Sequence, residues 1–155
     1  MKQVKWRPLL TSVLLAHLVG QIAHLLAGNM AAAYAGMMRP PLAPPGFLFG
    51  PVWLILYTLM GIAVYRVWAS DATDRRKAVR LYAAKLLLNG LWPMLFFRMG
   101  ALWAAAVVMA ALALLIFQTT RRFAAADRLA GRLMLPYLLW VVYMVYLNVG
   151  FLLLQ

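Results

Sequence analysis

Three sets of side chains recur at helical spacing inside apolar runs of this chain. Trp53 and Tyr57 stand four residues apart. Asn89, Trp92 and Phe96 follow at i, i+3 and i+7, and Tyr137, Trp140, Met144 and Asn148 continue a third stripe. On helices each set shares one face. Aromatic rings supply broad apolar contact and the two amides supply orienting hydrogen bonds. That combination suits a flat, mostly apolar ligand with few polar atoms. The same stripes also serve helix packing. An Asn inside an apolar bundle joins helices at roughly 0.6–2 kcal/mol, and Trp near a membrane surface anchors the interface, a role that suits Trp6 and Trp68.

Other chemistry is sparse. His17, Gln21 and His24 share a face at i, i+4 and i+7. Two imidazoles can ligate a metal, yet no carboxylate or thiol lies near them in sequence, so helix contact or cavity lining is the simpler role and no metal site is expected. The acids are Asp71, Asp74 and Asp127, all outside the apolar runs, and there is no cysteine. Carboxylate pairs, nucleophile–His arrangements and Gly-rich phosphate loops are missing. Indoles and phenols remain, which support redox or photochemistry rather than hydrolysis or phosphoryl transfer.

The elements that must position these residues follow from composition. Of 155 residues, 66% are hydrophobic and 12% charged, with a mean hydropathy of +0.85. A soluble domain of this size cannot hide so much apolar surface, so the solvent is lipid. Crossing a hydrocarbon core of about 30 Å takes about 20 helical residues. Five runs meet that length, at about 8–28, 46–69, 79–98, 101–120 and 133–154. The third and fourth are separated only around Arg98 to Gly100, which predicts a tight hairpin. Residues 39 to 45 hold Pro40, Pro41, Pro44 and Pro45, which exclude helix and predict an extended segment before Trp53. Pro93 and Pro136 lie within spans and permit kinks. The first twenty residues resemble a signal peptide with Ala31 and Ala33 at a cleavage-like site, but removing them would leave four spans, so they are read as the first span.

Charge then orients the bundle. Lys2, Lys5, Arg7, Arg66, Arg75, Arg76, Lys77, Arg80, Lys85, Arg121, Arg122, Arg128 and Arg132 fall toward one side, against Arg39 and Arg98 on the other. Thirteen against two places the N-terminus in the cytoplasm and the Pro-rich loop and C-terminus outside. The net charge of +12 is thereby a topology signal and calls for no nucleic acid. A rise of about 1.5 Å per residue puts Trp53, Asn89, Trp92 and Asn148 at one depth, about 10–14 Å below the outer surface. Three stripes at that depth are expected to enclose a cavity. The small pairs Ala16/Gly20 and Ala23/Ala27 allow close helix approach, within one chain or between two.

The assembled residues resemble the TspO/translocator-protein family. The matching pieces are Tyr34 to Pro40 (Y-A-G-x-x-R-P), Pro44–Pro45, Gly50 to Tyr57 (G-P-V-W-x-x-L-Y) and Met60–Gly61. Leu88 to Phe97 (L-N-x-x-W-P-x-x-F-F), Pro136 to Trp140 (P-Y-L-x-W) and Leu147–Asn148 complete them, so the resemblance covers all five spans in order. It implies an all-α membrane protein, a bundle of five transmembrane helices in a single domain over residues 1–155, often a homodimer. It implies a pocket beneath the first loop that takes porphyrins such as protoporphyrin IX and other flat apolar ligands. By motif, Trp53, Asn89 and Trp140 would touch that ligand, and with the stripes above the expected set is Trp53, Tyr57, Asn89, Trp92, Phe96, Trp140, Met144 and Asn148. In some bacterial members the tryptophans matching Trp53 and Trp140 are tied to light-dependent porphyrin breakdown.

Binding, sensing or transport in a bacterial inner membrane is therefore the first expectation, with porphyrin as ligand and no required cofactor. Photo-oxidative degradation, and a membrane partner whose aromatics merely pack, are the alternatives. Three positions depart from the family pattern. Leu42 stands where a loop Trp is usual, beside Arg39 for Lys, and Met144 replaces a small residue, which narrows the expected pocket floor. Residues 149–155 hold no Tyr and no basic residue, so the resemblance does not extend to sterol binding there.

Overall fold

The computed structural model describes residues 4–155, so Lys2 lies outside the described residues. Six α-helices account for most of the chain: α1 (Trp6–Ala27), α2 (Met30–Ala35), α3 (Phe49–Ala69), α4 (Arg75–Pro93), α5 (Leu102–Ala126) and α6 (Arg128–Leu154). The five long ones close into a ring in which α1 packs on α3, α3 on α6, α6 on α5, α5 on α4 and α4 back on α1.

The strongest seam joins α5 to α6, and its cause is a heptad-like pattern. Buried positions on α5 run Ala105, Met109, Leu112, Ile116, Thr119 and Phe123; on α6 they run Ala130, Met134, Tyr137, Val141, Met144, Asn148 and Phe151. Both series alternate steps of four and three, the 3.5-residue period that keeps two helices facing each other along their length. Small residues bring the other pair together. A Cβ on Gly61 would lie 2.5 Å from the Val13 backbone, so α1 and α3 touch main chain to main chain. Ala16, Ala23 and Ala27 are likewise buried within the chain, so that stripe is occupied by α1's own neighbours.

Large apolar side chains point outward all around the ring, among them Leu14, Leu25, Leu54, Leu87, Trp103, Leu114 and Leu139. This inverts the soluble pattern and makes lipid the required surroundings. Four helical segments are long and apolar enough to cross a membrane: Trp6–Ala27, Gly46–Ala69, Leu102–Ala126 and Arg128–Leu154. α4 is not among them, because Arg75, Arg76, Lys77, Arg80 and Lys85 crowd its first three turns.

Several expected boundaries move. The interval between the expected spans 101–120 and 133–154 is almost wholly helical, since Asp127 is the single non-helical residue between α5 and α6 (φ −154°, ψ 118°). Its carboxylate accepts from the Ala130 amide at 2.8 Å and takes both Arg66 guanidinium contacts, at 3.0 and 2.7 Å. One residue can thus turn the chain by capping the next helix while tied to α3. The hairpin between α4 and α5 does form. Pro93 ends α4, Met94–Arg98 continues as a π turn, and Gly100 at φ 61° reverses the chain.

The Arg66 hydrogen bonds hold the Asp127 carboxyl below its usual range. The stabilisation is fully present above the unfolded value of about 3.9 and is lost as pH falls through the depressed folded value. Asp127→Ala should cost about 1–2 kcal/mol, mostly the cap, since the ion pair is partly solvated. The thermal midpoint in detergent should fall accordingly at neutral pH, and the gap to wild type should close in acid.

Candidate functional site

Above the packed core, beneath α2, the helices part. The cavity has a volume of about 430 Å3. α3 contributes Trp53 and Tyr57, α4 contributes Asn89 and Trp92, α1 contributes His17, Gln21 and His24, and α2 covers it with Met30, Ala31 and Tyr34. Four of the eight expected residues therefore come together: Trp53, Tyr57, Asn89 and Trp92.

Hydrogen bonds set the walls. Asn89 Nδ2 donates to the Tyr57 hydroxyl at 2.7 Å, bracing α4 on α3. Trp92 Nε1 donates to Asn148 Oδ1 at 2.8 Å, while Asn148 Nδ2 returns to the Met144 carbonyl at 2.7 Å, bracing α4 on α6. His17 Nε2 lies 3.0 Å from Thr58 Oγ1, joining α1 to α3. The Trp53 ring leans on Tyr57 (5.6 Å between centroids) and stands edge-on to Tyr137 (6.2 Å).

The other four expected residues do not line this space. Asn148 and Met144 are buried behind Trp92, with Asn148 serving as the indole's acceptor. Phe96 is buried among Trp92, Phe97 and Phe151 at 4.8–5.4 Å. Trp140 faces a shallow apolar groove on the α3–α6 side, with Val52, Ile55, Leu139 and Tyr143, and its Nε1 has no hydrogen-bond partner. The expected enclosure by three stripes is thus corrected: the wall assigned to the last helix is supplied by the first. Equal depth puts residues at one level but leaves open which neighbour each stripe meets, and Asn148 is taken up by the Trp92 indole while Met144 is buried in the core. The stripe His17, Gln21 and His24 does line the cavity. No group of three or more metal-ligating residues occurs among the described residues.

The Pro-rich segment also differs from expectation. Rather than running extended, it turns at Pro40–Ala43, where the Ala43 amide bonds the Pro40 carbonyl at 3.2 Å and Leu42 adopts φ 63°. It closes on α6 instead of hanging over the cavity. Tyr143 and Tyr146 donate their hydroxyls to the carbonyls of Leu42 (2.6 Å) and Pro41 (2.7 Å), and Gln155 donates to Met38 at 3.0 Å. Pro40 sits where a side chain on Gly150 would be. Leu42 itself points away, 84% exposed. The cavity cover is α2, an element hidden from sequence reading by its six-residue length; Asn29 caps it by accepting from the Ala32 amide. Tyr34 links cover to clamp by donating to the Pro44 carbonyl and packing on Phe49 and Phe151.

An apolar-surfaced helical ring with an aromatic cavity capped by a short helix defines an all-helical integral membrane protein. The chain belongs to the TspO/MBR family, whose profile matches residues 12–154, so the resemblance read from the motifs holds. It is similar to the human translocator protein, 36% identical over 118 residues that cover 74% of this chain and 70% of the relative. The tryptophan-rich protein TspO of Archaeoglobus fulgidus is 33% identical over 141 residues, 87% and 92% of the two chains. The tryptophan-rich sensory protein of Cereibacter sphaeroides is 35% identical over 107 residues, 69% and 66%.

Two outcomes test this geometry. Asn148→Leu leaves the buried Trp92 N–H without an acceptor and should lower stability by about 1–3 kcal/mol, read by thermal unfolding in detergent. Replacing both Tyr143 and Tyr146 by Phe should free the clamp, so that hydrogen exchange at the Leu42 and Ala43 amides speeds up while exchange along α5 is unchanged.

Proposed function

We propose that this protein binds a porphyrin-like, flat and largely apolar molecule in the cavity under α2, as a receptor or transporter-like sensor. The observation that carries the reading is the cavity itself: two indoles, a phenol and an amide converge on a space of about 430 Å3. Stacking surface comes from Trp53 and Trp92, and orientation from Asn89 and Tyr57. The names of the relatives, translocator and sensory protein, agree with a carrying or signalling role. Porphyrin is ligand in this reading, and no further cofactor is required.

The surrounding architecture belongs to the same proposal. α4 and its π turn form a fifth span, so the single domain is a five-helix bundle. With Lys85 inside the bundle, twelve basic residues remain toward the cytoplasm against Arg39 and Arg98 outside, consistent with a cytoplasmic N-terminus in a bacterial inner membrane. A homodimer would use the outward apolar faces, since the small-residue stripe of α1 is already covered. Breakdown of porphyrin by paired indoles finds less support, because Trp53 and Trp140 line different concavities.

Titration of detergent-solubilised protein with protoporphyrin IX should give saturable quenching of tryptophan fluorescence and a shifted porphyrin absorbance. Trp53→Phe and Asn89→Ala should each weaken binding about three- to tenfold, the loss expected for one stacking face or one orienting hydrogen bond. Trp140→Phe should leave the affinity unchanged. Identical titrations in wild type, Trp53→Phe and Asn89→Ala would dismiss the cavity as the site.

A further inference from the structure

Among the described residues, Lys85 is the one basic side chain that the bundle swallows whole. Its relative exposure is 0%, and at ten residues into α4 it lies near the middle of the helix ring. Nζ stands 4.4 Å from the centroids of both the Tyr82 and Tyr137 rings and 2.6 Å from Met60 Sδ. Ring faces and a thioether attract a cation but carry no charge to balance one. The carboxylates lie elsewhere: Asp71 and Asp74 precede α4, and Asp127 turns the chain between α5 and α6 beside Arg66. Tyr82 and Tyr137 add to the imbalance, for neither hydroxyl has a hydrogen-bond partner. An amine and two phenols thus meet in the buried interior with no acid among them, where an unpaired ionisable group is costly and usually functional.

The cluster sits directly behind the cavity. Lys85 and Asn89 are i and i+4 on α4, so their Cβ atoms are about 5–6 Å apart on one face, and Asn89 is a cavity wall. Tyr137 forms the second link, its ring meeting Trp53 of the cavity as well as Lys85. Lys85 is fully buried, so its interaction with a group resting on Asn89 and Tyr57 is little screened.

We propose that Lys85 selects the charge of the cavity's ligand, favouring flat apolar molecules that bring a carboxylate to the floor formed by Asn89 and Tyr57. The ligand's carboxylate provides the counter-charge that the protein withholds. A carboxylic acid arriving protonated can pass its proton to the amine, leaving carboxylate and ammonium with charge conserved. This rests on the cavity being the binding site, and it narrows the ligand from porphyrin-like to acidic.

The test pairs each acid with a neutral counterpart. Protoporphyrin IX is compared with its dimethyl ester, and pyrenebutyric acid with pyrenebutanol, in wild type, Lys85→Met and Lys85→Gln. In wild type each acid should bind about tenfold more tightly than its neutral partner, the size expected for one weakly screened charge pair. Both variants should lose that preference while holding the neutral ligands within about threefold, as expected when uniform contacts are retained. Equal binding of acid and neutral partner in wild type overturns the proposal whatever the variants do. So does an acid preference that survives in a folded Lys85→Met or Lys85→Gln protein. Should neither porphyrin bind while the pyrene pair behaves as stated, the porphyrin reading falls and charge selection by Lys85 stands.

Discussion

Two hydrogen bonds made inside an apolar bundle govern the shape of this protein: Asn89 to Tyr57 and Trp92 to Asn148. In lipid, a buried polar group that misses its partner finds no water to replace it. α4 must therefore present Asn89 to α3 and Trp92 to α6 at the same time, which fixes its rotation. With α4 so turned, α6 is closed off behind Trp92, and the open space falls between α4, α3 and α1. The cavity follows from polar satisfaction as much as from the aromatic rings that line it.

Much of this was readable before the structure. Length, hydropathy and the loss of charge within the runs mark out the long helices, because lipid imposes one crossing length on all of them. Motif spacing put Trp53, Tyr57, Asn89 and Trp92 together correctly. What misled was depth. Asn148 does meet Trp92, yet its amide is taken up by that indole and by the Met144 carbonyl, which closes it off from the cavity. Lys85 was misjudged for a related reason: summed with the other basic residues it reads as a topology marker, whereas its face, i−4 from Asn89, points into the ring. Residues 30–35 are too short and too alanine-rich to separate from a loop by periodicity, and only Asn29, a good cap, hinted at a helix.

The aromatic residues divide into two working groups. Trp53, Tyr57 and Trp92 border empty space, whereas Phe96, Phe123 and Tyr82 fill solid core. Tyr137 belongs to both, touching Trp53 on one side and Lys85 on the other. Its position makes the cavity wall and the buried amine parts of one connected layer, so a change in either is felt by the same ring.

The clamp of residues 38–43 on α6 has a consequence for how the molecule is assembled. Its hydrogen bonds join positions 101 to 117 residues apart, such as Leu42 with Tyr143 and Met38 with Gln155. Contacts so distant along the chain form late, after the intervening segments have been ordered. The hairpin of α5 and α6, by contrast, needs only Asp127 to turn and a local seam to close. In a growing chain, therefore, residues 38–43 stay unclamped until α6 has been synthesised and inserted.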